Sequence, residues 1–241
     1  MSAKDLFDLS EHYVEMLQKG IRLSGEDQQF FIRGRLRDLA RCLPAGNPPR
    51  RVLDFGCGLG DTSAALASLF PNAEVLGVDT AAQAVAHARV HYVSGGRLWF
   101  ETLDRLAADG SFELCYCNGV FHHIPPPERD GAAALVYRSL APGGRFALFE
   151  NNPLNPGARM VMHRIPFDRD AIPLAPWETI RLLKQAGFQI TAWPRSLFYF
   201  PRPLAILRPL EQWLVHLPLG AQYWVMGHKP LPAPAANPVP R

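Results

Sequence analysis

At 241 residues, with 48% apolar and 20% charged side chains, the chain has the composition of an ordinary folded protein that can bury a full core. Its net charge of +3 comes from interspersed acids and bases, with no basic stripe to track a phosphate backbone, which argues against a nucleic-acid partner. No uncharged run reaches the ~18 residues of a membrane span, Lys4, Asp5 and Asp8 interrupt residues 1–9 where a signal peptide would be apolar, and the four cysteines lack a disulfide-framework spacing; the expectation is a cytoplasmic protein with reduced thiols.

In chain order, Leu6, Leu9, Tyr13, Met16 and Leu17, then Phe31, Leu36, Leu39 and Leu43, recur at helical spacing, so residues 1–48 read as an N-terminal helical lid. Pro44 to Pro49 end that pattern. Residues 49–194 then alternate: strand 51–55, helix 62–69, strand 73–79, helix 81–93, strands 98–101 and 112–117, helix 131–140 and strand 145–150. Strands separated by helices of this length predict an α/β fold, Rossmann-like and doubly wound, with a mostly parallel sheet of seven strands. A Pro- and Asn-rich loop runs from Asn151 to about Leu174, followed by a helix 177–186 stopped by Gly187 and two further strands, 189–193 and 221–227.

Residues 195–220 read as a hydrophobic helical insertion before the last strand, and 221–241 as that strand with a Pro-rich tail. Leu204, Leu207, Leu210, Leu214 and Leu217 fall on one side of the insertion. Such a face packs on the sheet edge or a second copy, covers an apolar ligand, or makes weak membrane-surface contact through 203–219. Monomer and homodimer both remain open.

The most informative segment is Val52-Leu53-Asp54-Phe55-Gly56-Cys57-Gly58-Leu59-Gly60-Asp61-Thr62, a strand entering a glycine-rich turn that opens a helix. Alternating glycines let a ligand lie against bare backbone, and the helix start offers N–H groups to polar atoms. Nineteen residues after Gly60, the second strand ends at Asp79, where a carboxylate in this topology accepts both hydroxyls of a ribose. The dinucleotide pattern G-x-G-x-x-G has its third glycine one place later, which tilts the ligand away from a nicotinamide cofactor.

Val52 to Gly60, with Asp79, resembles motif I of the class I S-adenosylmethionine-dependent methyltransferases, in particular the small-molecule branch known as type 11 or 12. The likeness continues through Phe112 to Ile124, similar to the family's fourth strand and following loop, and through Leu140 to Arg145, like the turn before its fifth. This resemblance implies a cofactor, S-adenosyl-L-methionine. It places the methionine part on Asp54, Gly56, Cys57, Gly58 and Gly60, the ribose on Asp79, and the adenine between Thr80 and Leu103 with Asp104. The main chain of Asn118 would meet the methionine amino group.

Methyl transfer is an in-line displacement, so the protein must desolvate a nucleophile and align it ~3 Å from the methyl group. An oxygen or nitrogen acceptor must shed a proton, and a histidine suits that step. His122 and His123 follow the fourth strand, above the strand ends where ligands bind, and the resemblance implies a base role for His123 or His122. Ordering of the loop before Pro125 is their alternative use. Tyr13, Phe31, Glu150 and Arg169 are candidate acceptor contacts, and no metal is assigned. The Asn-Pro steps at 152–153 and 155–156 follow strand five, not strand four, and read as turn formers rather than a nucleic-acid signature. The expected function is methylation of a small-molecule, natural-product or lipid-like acceptor; the alternatives are a catalytically silent cofactor-binding subunit and a nucleotide-dependent oxidoreductase.

Overall fold

Apolar, β-branched-rich runs form the centre of one sheet because both of its faces are covered by helices. The computed structural model describes residues 16, 18–92 and 95–232. Its strands are β1 (Arg51–Phe55), β2 (Glu74–Asp79), β3 (Leu98–Thr102), β4 (Phe112–Asn118), β5 (Leu140–Asn151), β6 (Gln189–Ile190), β7 (Arg195–Leu197) and β8 (Gln222–His228). They run in the order β3-β2-β1-β4-β5-β8-β6, with β7 also on β8. Pairings from β3 to β5 are parallel, and those of β8 with β5, β6 and β7 are antiparallel. The strand order reverses between β1 and β4, and in open α/β sheets the crevice beyond that switch point receives ligands.

Among the described residues six α-helices have both ends in view: α1 (Gln28–Cys42), α2 (Asp61–Leu69), α3 (Ala82–His91), α4 (Arg129–Ser139), α5 (Pro156–Arg164) and α6 (Pro176–Gln185). Alternation along the central strands supplies two cores. Val52, Leu114, Tyr116 and Phe149 face α1, α2 and α3 through Leu36, Leu66 and Val85. Leu53, Cys115, Cys117 and Phe146 face α4 and α6 through Val136 and Leu183. The thiols at 57, 115 and 117 are buried, whereas Cys42 is exposed.

Four expectations are corrected. Among the described residues the sheet has eight strands, because the expected strand 189–193 stops at Ile190 and the edge resumes at Arg195 beyond Pro194, which has no N–H for the ladder. The stretch 151–174 contains α5, whose start is fixed by Asn155 Oδ1 accepting the Ala158 amide at 2.8 Å and by Pro156 in the first turn. The insertion is not an α-helix. It begins as β7 and continues as 3-10 turns over Arg202–Leu210, kinked at Leu204 with Pro209 inside, after which residues 211–220 are turns and bends. Prolines at 201, 203, 209 and 218 deny an α-helix its donors there.

Strand β5 also starts earlier than expected. Leu140 pairs with Phe112 and Arg145 with Leu114, so Ala141 to Gly144 are accommodated as a bulge within the strand. Helix α1 is anchored to the far edge by Asp38, which accepts two hydrogen bonds from Arg195 at 2.9 and 2.7 Å and one from the Trp224 indole at 2.8 Å. Among the described residues no helix is long and apolar enough to cross a membrane.

Candidate active site

A cavity of about 550 Å³ opens at the carboxyl ends of β1 and β4. Its floor is the glycine loop, and the three glycines serve different purposes. All take positive φ, at 81°, 50° and 94° for Gly56, Gly58 and Gly60. A Cβ on Gly56 would meet Val120 at 2.2 Å, and one on Gly60 would meet Ala88, Tyr92 and Phe100 at 2.9 Å, so those two are glycine for packing. A Cβ on Gly58 would meet nothing within 4 Å, and its bare backbone borders the cavity. The open space at Gly58 is a cradle that a side chain would fill and that a ligand lying against the main chain requires.

Carboxylates shape this loop. Asp79 accepts the Gly58 amide at 2.8 Å and the Ala81 amide at 2.9 Å. Asp54 is buried at the end of β1 and accepts from Ser63 at 2.6 Å. Burial pushes its carboxyl up to about 7, with Asp79 adding to the rise; the Ser63 hydrogen bond and the Arg35 charge oppose it without cancelling it. Of the residues expected to hold a cofactor, Asp54, Gly56, Cys57, Gly58 and Asn118 line the cavity. Gly60, Asp79, Thr80, Leu103 and Asp104 stand outside its wall, Leu103 and Asp104 in a 3-10 turn directly after β3.

Sequence reading missed Arg35. It lies on α1, is only 6% exposed, and lines the cavity, donating from Nε to the Tyr116 hydroxyl at 3.0 Å and from Nη1 to Gln222 at 3.2 Å. Gln222 in turn donates to Asn151 at 3.2 Å and Asn118 at 3.4 Å. Among the described residues no carboxylate lies within ion-pair distance of this buried guanidinium; its hydrogen-bond partners are neutral oxygens, and Asp54 feels its charge only at longer range. Its helical periodicity looks polar and unremarkable in sequence, because only the fold turns it inward.

Across the cavity stand the two histidines. The backbone of the post-β4 loop is pinned by Ile172, whose amide donates to the His122 carbonyl at 2.9 Å, and by Arg129, which donates to the carbonyls of Ile124 and Ile172. His122 is buried and donates from Nδ1 to Glu150 at 2.5 Å; the other Glu150 oxygen accepts the Phe121 amide at 2.9 Å. Asp168, in a 3-10 turn after α5, lies 3.5 Å from His122 Nε2 and 3.2 Å from His123 Nε2. Desolvation alone would push His122 down, but the Glu150 charge, with Asp168, outweighs it and carries the imidazole up to about 10. Asp168 is displaced in the opposite sense: burial raises it, and the two histidines outweigh that and hold it below its usual range.

Phe31, His122, His123 and Asp168 share the cavity wall with the glycine loop, and so do Ile21, Ser24 and Gln28 from the segment leading into α1. Glu150 lies behind His122, fully buried. Arg169 is exposed and outside the wall, where its neighbour Asp168 turns inward instead. Tyr13 lies outside the described residues. Asp168 is 46 and 45 residues from the two histidines, so no spacing in the sequence could have joined them.

Residues 52–144 match a protein family described as a methyltransferase domain. The chain is 38% identical over 112 residues to a trans-aconitate 2-methyltransferase of Deinococcus radiodurans, which covers 46% of this chain and 42% of that protein. It is 35% identical over 125 residues to a demethylmenaquinone methyltransferase of Thermus thermophilus, covering 50% of this chain and 56% of that one. The chain thus spans about half the length of these two curated relatives. Among solved structures, a SAM-dependent methyltransferase from Archaeoglobus fulgidus superposes with a TM-score of 0.65 at 15% identity, covering 90% of this chain and all 100% of that one. A phosphoethanolamine N-methyltransferase of Haemonchus contortus, solved with phosphomonomethylethanolamine and S-adenosylhomocysteine, superposes at 0.64 with 19% identity, over 95% of this chain and 61% of that one. At such identities the likeness speaks for the fold.

Proposed function

We propose that this chain is a class I S-adenosylmethionine-dependent methyltransferase, a reading supported by the match of residues 52–144 to a methyltransferase domain, and that it methylates an oxygen or nitrogen of a small or lipid-like acceptor held in the cavity. The single observation that carries this reading is one cavity joining the bare backbone of Gly58 to the His122–His123–Asp168 cluster. Bound S-adenosylmethionine supplies an electrophilic methyl group on a sulfonium centre.

The residues present fit that cofactor. Gly58 leaves room for the methionine part, Asp79 suits the ribose hydroxyls, and Asp54 suits a nearby cation. Arg35 supplies the positive charge that a methionine carboxylate needs, which also gives this buried guanidinium its missing anion. Asn118, at the end of β4, offers its main chain to the amino group, as the family resemblance implies.

For the acceptor, the chain must exclude water and receive a proton. His122, held charged by Glu150, is a strut for the loop rather than a base. His123 is the less buried of the two, with Asp168 orienting its ring, and is the better proton acceptor. The rim supports an acceptor with an apolar part: Met160, Leu219 and Pro201 line the cavity, while Ile206 and Trp213 stand 87% and 76% exposed nearby in sequence. Arg208 is engaged by Glu26 at 2.7 Å and over the Phe30 ring, which leaves little charge there for an anionic membrane. Sedimentation with anionic liposomes tests that surface; we expect the protein to stay in the supernatant.

The direct test of function is release of S-adenosylhomocysteine from S-adenosylmethionine when the protein meets fractionated small-molecule and lipid extracts. At least one fraction should support multiple turnovers. Tight cofactor binding with no release from any fraction would identify a silent subunit and contradict the proposal.

A further inference from the structure

We propose that His122, His123 and Asp168 form a divalent-cation site in the wall of the cavity, filled by a transition-metal ion of the zinc type. The proposal deepens the function above and rests on the acceptor lying against this cluster. Three donor atoms, two imidazole nitrogens and one carboxylate oxygen, all lie within 4.8 Å of one another beside the cofactor cradle.

Spacing and orientation agree. Donors ~2.0–2.1 Å from a tetrahedral cation stand roughly 3.3 Å apart, and Asp168 Oδ1 lies 3.5 and 3.2 Å from the two Nε2 atoms. His122 Nε2 is buried and has no hydrogen-bond partner, although a carboxylate sits 3.5 Å away. A polar atom so placed is costly unless something satisfies it. The opposite ring nitrogen is committed to Glu150, the arrangement in which a carboxylate fixes the tautomer of a metal-ligating histidine and leaves its Nε2 lone pair facing the ion.

Charge balance points the same way. Glu150 and Asp168 are two buried carboxylates against this cluster, 0% and 7% exposed, and with neutral imidazoles they sum to two negative charges. One divalent cation offsets both charges. Arg129, the other cation near Glu150, donates its hydrogen bonds to backbone carbonyls. A cation held here would polarise an acceptor oxygen lying against the cluster and so ease loss of its proton. In that state His123 is a ligand, and water takes the acceptor proton.

The test uses the whole chain, stripped with a chelator and titrated with cobalt(II) alone, whose visible absorption reports coordination. We expect one equivalent to bind. Asp168→Asn and His123→Gln should each weaken binding at least tenfold, and Glu150→Gln by roughly 10- to 100-fold, the usual effect of losing the carboxylate behind a metal-ligating histidine. Calorimetry with S-adenosylhomocysteine on each variant reports whether the fold and the cofactor site survive. No visible band in wild type, or unchanged cobalt affinity in both Asp168→Asn and His123→Gln, overturns the cation site. Cobalt bound without any S-adenosylhomocysteine binding upholds it while sinking the methyltransferase reading, and the reverse result does the opposite.

Discussion

The Asp79 carboxylate accepts the Gly58 amide at 2.8 Å, so the acid at the end of β2 builds the turn on which the cofactor is to rest. One residue therefore serves the loop and the ligand, since a carboxylate oxygen accepts from more than one donor. Asp79→Asn should weaken S-adenosylmethionine binding by about 1.5 to 3 kcal/mol, the worth of hydrogen bonds to a charged group. Calorimetry reads this directly. An unchanged dissociation constant would remove Asp79 from the site.

The glycines separate packing from binding. Gly58→Ala should cost only about 1–2 kcal/mol of stability, the strain of a left-handed alanine, yet abolish most cofactor affinity because the new methyl group enters the cradle. Gly60→Ala should melt lower than Gly58→Ala, as its Cβ meets Ala88, Tyr92 and Phe100 at 2.9 Å. Thermal denaturation with and without S-adenosylhomocysteine gives both readouts. The idea fails if Gly58→Ala retains the ligand-induced rise in melting temperature.

Arg35 tests which part of the ligand lies where. Arg35→Met should lower affinity for S-adenosylmethionine at least tenfold through loss of a charge-assisted pair. Affinity for 5′-methylthioadenosine, which lacks the carboxylate, should be unaffected. Equal losses for both compounds would mean that Arg35 holds the fold together rather than the carboxylate.

Asp54 gives the pH dependence. Its folded carboxyl sits at about 7 against an ordinary 3.8, so between these values the native state holds a proton that the unfolded chain has lost. Stability must then fall as pH rises from about 4 to about 7 and level off above, and Asp54→Asn should flatten that slope. A bound ammonium or sulfonium nearby favours the ionised form, so cofactor binding at pH 6 should release a proton and at pH 8 should not. Calorimetry in buffers of differing ionisation enthalpy measures the release; none at pH 6 would separate Asp54 from the ligand.

The parallel half of this sheet was readable because its signals are local. Val52 to Phe55, broken only by Asp54, and Val75 to Val78 are apolar runs, and Gly56 and Gly60 are glycines that neighbouring side chains demand. The antiparallel edge was harder. Gln189–Ile190 and Arg195–Leu197 are each too short to leave a period-2 pattern, and only their shared partner β8 holds them in line. Leucines at 204, 207 and 210 mimic a helical stripe, although Pro203 just before them and Pro209 among them forbid the α-helix. At the site, His122 and His123 announced themselves by position after a strand. Arg35, Glu150 behind His122, and Asp168 owe their roles to contacts between residues far apart in the chain, and no motif encodes those.

A structure of the chain crystallised with S-adenosylhomocysteine tests the central claim most directly. The account predicts the ligand lying across Gly58, its sugar on Asp79, its carboxylate at Arg35 and its sulfur facing His123. A ligand bound elsewhere, or a cradle at Gly58 that stays empty at saturating concentration, would contradict it.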